Sequence, residues 1–217
     1  MSDVLYRWPA NASVGRAVPK TKFYEHGNVR AALREKFVDD VQKITWAYKL
    51  ADATIRLRGS SAVPEIQVFT VETKAENVDD DVLAAIDKSV PFPIIFEVTN
   101  GDAVRTVAAP KTLVVTTPKV GTYFSTGWIS ADAVRASLPT AIDLPALHEA
   151  LLASLLPVCA RRGESVSEAA ARMDAARKLE REITALERRL RTEPQLNRKV
   201  ELRRQLKDRQ AALAALA

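Results

Sequence analysis

Residues 65–100, EIQVFTVETKAENVDDDVLAAIDKSVPFPIIFEVTN, leave few folds open to this chain, because they read as strand, helix, strand. Residues 65–73 concentrate β-branched and aromatic side chains in Ile66, Val68, Phe69, Thr70 and Val71, the composition of a buried strand. Asn77 offers a helix cap, and Asp79, Asp80 and Asp81 put carboxylates at the positive end of the following helix dipole. Val78, Val82, Ile86 and Val90 recur at helical spacing until Pro91 and Pro93 stop the run. Ile94, Ile95, Phe96 and Val98 resume as a strand. Two strands joined through one helix lie parallel with a right-handed crossover, and a parallel pair needs cover on both faces. The expected class is therefore α/β: a mixed sheet with a βαβ core flanked by helices.

A chain of 217 residues has room for one compact domain with an appendage, or for two small domains. We place an α/β scaffold domain over 1–160. PKTKFYEHG reads as a connector, after which Asn28 caps a long helix striped by Val29, Leu33, Phe37, Val41, Ile44 and Tyr48. A short strand is expected at 53–57. Asn100-Gly101 predicts a hairpin between strands 94–99 and 103–109. A further strand follows at 111–117, and 120–128 forms an edge strand or ordered turn. Asp143 caps another helix, with Pro145 in its first turn and an apolar face of Leu147, Leu151, Leu152, Leu155 and Leu156.

From Ser165 the composition shifts to Ala, Glu, Arg and Leu. Leu179, Ile183, Leu186 and Leu190 are spaced four, three and four; Leu202, Leu206, Leu213 and Leu216 hold a seven-residue register with Arg209 in one seam position. Pro194, in TEPQLN, interrupts the helix between them. The spacing predicts an antiparallel coiled-coil hairpin over 161–217; one long bent helix pairing with a second chain is the rival geometry. Charge divides at the same place. Residues 1–160 carry 17 Lys/Arg against 18 Asp/Glu, whereas 161–217 carry 15 against 9, so the whole net charge of +5 arises in the last quarter. Arg188, Arg189, Arg191, Arg198, Lys199, Arg203, Arg204 and Lys207 are the candidate contacts for a partner or for nucleic-acid phosphates. Several lie one turn from Glu180, Glu182, Glu187, Glu201 or Asp208, where surface ion pairs are expected. The segment has no aromatic residue to stack on bases.

Among motifs, Glu72-Thr73-Lys74 at the end of a strand resembles the second half of the PD-(D/E)xK nuclease signature, in which a carboxylate holds Mg²⁺ and a lysine orients water. Period two puts Glu72 and Lys74 on one face of the strand. The sequence supplies no second carboxylate, since Asp52 precedes a weak strand and Glu65 faces the other way. The triple aspartate reads as dipole complementation, and Asp87-Lys88 as a helix-end ion pair. His26 and His148 have no metal or triad spacing around them, and the chain has no glycine-rich phosphate loop. The single cysteine, Cys159, reads as a small buried hydrophobe, and a reducing cytoplasm is the expected compartment. No apolar run approaches a bilayer span, so no membrane partner is expected.

VPKTKFYE (18–25), ITWAYKLADATIRL (44–57), EIQVFTVETK (65–74), IDKSVPFPIIFEV (86–98), YFSTGW (123–128), AIDLPALHEALL (141–152) and LERRLRTEPQLNRKVELRRQLK (186–207) together resemble the bacterial family called domain of unknown function 4391. That resemblance implies a C-terminal helical segment of this kind and carries no catalytic residues over. It also implies genomic company with Swi/Snf-type helicases and DNA methyltransferases in restriction-like and phage-defence neighbourhoods. The expected function is a non-catalytic accessory or assembly subunit of such a DNA-acting system, docked through its C-terminal coiled coil and needing no cofactor. The alternatives are a Mg²⁺-dependent nuclease centred on Glu72 and Lys74, and a homodimer in which two hairpins form a bundle.

Overall fold

The computed structural model describes residues 4–27, 30–112, 118–156, 161 and 164–216. Its elements run β1 (Ser13–Ala17), α1 (Thr21–Gly27), α2 (Ala31–Asp40), β2 (Val41–Leu50), α3 (Asp52–Ile55), β3 (Ile66–Thr73), α4 (Asp80–Ser89), β4 (Ile94–Asn100) and β5 (Ala103–Ala108). Short strands β6 (Lys111–Thr112), β7 (Lys119–Val120), β8 (Phe124–Ser125) and β9 (Ile129–Ser130) follow, then α5 (Leu144–Leu155), α6 (Val166–Thr192) and α7 (Leu196–Leu216). The chain divides into two compact units, Met1–Val166 and Ser167–Ala217.

The first unit is built on a mixed sheet of order β1-β2-β3-β4-β5-β8, with β9 also on β5. Only β3 and β4 run parallel, in a register from Gln67 opposite Ile94 to Glu72 opposite Thr99. The expected strand-helix-strand core is therefore present, with α4 as its crossover. Val82, Leu83 and Ile86 of α4 are fully buried against Phe69, Val71, Phe96 and Val98 of the sheet. Each such side chain contributes roughly 1.5–3 kcal/mol of transfer free energy. The helix start is displaced by two residues: the Asp79 carboxylate, not Asn77, caps it by accepting from the Asp81 N–H at 2.8 Å. Lys36 Nζ at 2.7 Å holds the Asp79 carboxyl below its ordinary range. Asp143 caps α5 as expected, accepting from the Ala146 N–H at 2.8 Å. Gly101 turns the β4–β5 hairpin at φ 53°, a conformation that favours glycine.

The expected long helix is half strand. α2 ends at Asp40, and Val41–Leu50 pairs antiparallel with both β1 and β3. The sequence VQKITWAYKL has strand composition, and two bulges explain the misleading period. Register shifts between Val41 and Lys43 and between Trp46 and Tyr48 each break the alternation. Inward residues Val41 and Ile44 thus fall three apart, which continues a helical stripe from Phe37 by coincidence. The supposed connector 19–27 is largely helix α1, whose Phe23 stacks on Phe37 at 6.3 Å. Residues 53–57 are not a strand either: α3 is one helical turn, ended by Arg56 at φ 56°. The expected strand at 111–117 is described only as far as Thr112; Asn28, Val29, Pro157 and Cys159 also lie outside the described residues.

In the second unit α6 and α7 pack as a hairpin. Pro194 stands between them, where its missing N–H costs no helical hydrogen bond. No helix among the described residues is long and apolar enough to cross a membrane.

Candidate functional site

The residues of the expected seam lie along α6 and α7. Leu202 is buried, while Leu179, Ile183, Leu186, Leu190, Leu206, Leu213 and Leu216 stay partly exposed. Arg209, at its seam position, pairs across the helices with Glu182 (Nε to Oε2, 2.9 Å) and helps line a groove of about 370 Å³ floored by Ala185 and Leu186. A second stripe lies on α7. Leu196, Val200, Arg203 and Lys207 follow at spacings of four, three and four, so they share one face, and all four are exposed. Leu196 is 72% exposed and Val200 59%.

Of the eight candidate cations, Lys199 is half-buried and the other seven are exposed. Among the described residues none of the eight makes an ion pair, within a helix or across the hairpin, whereas Arg209 pairs from α7 to Glu182 on α6. These charges are available to an outside ligand.

The structure separates Glu72 from Lys74. Glu72 lies on the sheet face away from α4 and is held by Lys43 from the neighbouring strand at 3.2 Å. Lys74 lies just past the end of β3, and its Nζ donates to the Val38 carbonyl at 2.8 Å. Lys20 Nζ donates to the Phe37 and Val41 carbonyls. The two lysines thus serve the carbonyls at the C-terminal end of α2, as cations do at a helix terminus. Among the described residues no three His, Cys, Asp or Glu side chains are grouped as a metal site.

That same face holds a cleft of about 400 Å³ which the sequence reading missed. Its fixed centre is Glu97, 6% exposed, which sits across β4 from Thr70 on β3. Trp8 Nε1 donates to Glu97 Oε1 at 2.8 Å, and Arg135 Nη1 donates to the same oxygen at 2.6 Å. Arg135 Nη1 also donates to the Tyr6 carbonyl, and its Nη2 reaches Glu97 Oε2 at a long 3.4 Å. The visible signal was a lone glutamate inside the apolar run IIFEV, a residue type that is rarely buried unpaired.

A family model described as "Domain of unknown function (DUF4391)" matches residues 7–213. The chain belongs to this family. Neither the curated proteins nor the solved structures contain a match to it.

In this DUF4391 protein the most deeply buried charges are structural. Lys111 and Asp87 pair at 2.7 Å with side chains 0% and 1% exposed. The Lys111 Nζ also reaches the carbonyls of Asp87, Val90 and Phe92, and the Tyr123 hydroxyl donates to Asp87 Oδ2 at 2.9 Å. Burial raises the Asp87 carboxyl and lowers the Lys111 ammonium, each opposed by the other's charge. Four acceptors converging on one nitrogen fit an ammonium, so we assign the charged pair. It fastens the end of α4 and the proline turn after it to β6. The sequence expectation of an Asp87-Lys88 pair named the right acid and the wrong base.

Proposed function

We propose that this protein is a non-catalytic accessory or assembly subunit of a DNA-acting system, and that its C-terminal hairpin docks a protein partner. The observation that carries the reading is the outer stripe of α7. Two large apolar side chains stand in water on the same helix face as Arg203 and Lys207, cations that make no ion pair among the described residues. An amphipathic, acidic surface is the complement of such a stripe, with the apolar pair as anchor and the charges as steering groups. The helicase and methyltransferase company of related proteins makes a subunit of that kind the partner to seek. Contact of the same cations with DNA phosphates would add a salt-dependent, sequence-independent component. A reducing, cytoplasmic setting fits this role.

The experiment is affinity capture from the native host by full-length protein, by the double variant Leu196→Asp/Val200→Asp, and by residues 1–166 alone. Full-length protein should retain a defined partner, and both altered forms should lose at least about 90% of it, the effect of removing about 1.4 kcal/mol or more from the contact. Both substituted positions are exposed, so the hairpin should stay helical by circular dichroism. Undiminished capture by the double variant would remove the stripe from the interface.

Under this reading the Glu72 carboxylate holds Lys43 and performs no hydrolysis. Wild type and Glu72→Ala should nick supercoiled DNA to the same extent in Mg²⁺ or Mn²⁺. Cleavage by wild type that disappears in the variant would install the nuclease in place of the assembly role.

A further inference from the structure

The cleft beside Glu97 has the chemistry of a ligand site, independently of how the hairpin is used. Its ionic side chains are Arg7, Arg135 and Glu97, two cations to one anion, which favours a ligand carrying negative charge. Arg135 spends three of the five N–H donors of a guanidinium on Tyr6 and Glu97, one of them at long range. Glu97 Oε2 receives only that long contact. The hydroxyls of Ser13, Thr45, Tyr48 and Thr70 also line the cleft, and none of them makes a hydrogen bond within the protein among the described residues. Gly15 and Ala47, also in the lining, leave the cleft open where larger side chains would fill it. Tyr48 and Trp8 stand 6.1 Å apart between ring centroids and form an aromatic wall, with Tyr48 half-exposed.

Each of these features selects a property of the ligand. An aromatic wall takes a planar ring. A carboxylate beside a guanidinium presents an acceptor and donors side by side, the complement of a base edge. Unspent hydroxyls suit a sugar, and Arg7, exposed at the mouth with one long contact to the Arg135 carbonyl, suits a phosphate. The volume lies in the ~300–1,000 Å³ range of small-molecule sites. We propose that this cleft binds one nucleotide unit: the base against Tyr48 and the Glu97–Arg135 pair, the phosphate at Arg7. A free mononucleotide and the phosphorylated end of a strand share that chemistry.

The test is calorimetric titration of the full-length protein with AMP, GMP, CMP and UMP, with inorganic phosphate, and with a short single strand bearing or lacking a 5′-phosphate. At least one nucleotide or the phosphorylated strand should bind with a Kd below about 1 mM. Thr70→Leu, which fills the floor at a half-exposed position, and Arg7→Glu, at an exposed one, should each weaken that binding by about tenfold or more. A tighter mononucleotide identifies a free ligand; a tighter phosphorylated strand identifies a strand end. The proposal fails if nothing binds at about 5 mM, if inorganic phosphate binds as well as every nucleotide, or if Arg7→Glu binds like wild type with its melting transition unchanged.

Discussion

Lys111→Met is expected to destabilise the α/β unit by about 3–5 kcal/mol, the usual cost of stranding one member of a buried ion pair. Methionine nearly matches the lysine stem in volume, so packing is largely kept. What disappears is the donor set that serves Asp87 Oδ1 and three main-chain carbonyls, all in a site where Lys111 is 0% exposed. Water cannot replace it without opening the turn at Pro91 and Pro93. The reciprocal change gives the second half of the argument. Adding Asp87→Leu to Lys111→Met removes the stranded carboxylate, and stability should partly return even though both partners are gone. Urea unfolding followed by circular dichroism measures both effects. A single variant within about 1 kcal/mol of wild type would mean that the pair is not charged in the fold.

Where the sequence was legible, its signals were local. The β3–α4–β4 unit is written in strand composition, an acidic first turn and a proline stop, all within 36 residues of sequence (65–100). The hairpin is equally local, since a leucine register and one proline specify two helices and the break between them. β2 was not legible, because bulges disguise its alternation and its hydrogen-bond partners lie on β1 and β3, elsewhere in the chain. The cleft was hidden for the same reason on a larger scale. Glu97 finds Trp8 across 89 positions and Arg135 across 38, and nothing near Glu97 in sequence announces either. The hairpin's charges misled in the other direction. Helical spacing offers Arg and Glu side chains one turn apart, yet exposed pairs gain so little that geometry need not form them.

Acid should unfold the α/β unit earlier than its carboxylates alone would require, and His148 is the reason. It lies on α5 between Leu144, Leu147, Leu151 and Leu152, 7% exposed, with Nε2 buried and unpaired among the described residues. Burial, helped by the positive charge of Lys111, pushes its pKa down to about 4. The unfolded chain, with an ordinary histidine near 6.5, binds a proton between those two values and the folded chain does not. Stability therefore rises with pH across this window, is complete above about 6.5, and is lost as the pH falls toward 4. The difference amounts to roughly 3 kcal/mol. Asp79, whose carboxyl Lys36 holds below 3.8, loses its contribution at lower pH, so the two effects separate. His148→Leu removes the titration and the unpaired nitrogen together. Its stability should equal or exceed that of wild type at pH 7, and the gap should widen by about 2 kcal/mol on going to pH 4.5. Parallel pH profiles for the two proteins would show that His148 is protonated in the fold, which would require a hydrogen-bond acceptor inside the leucine face of α5.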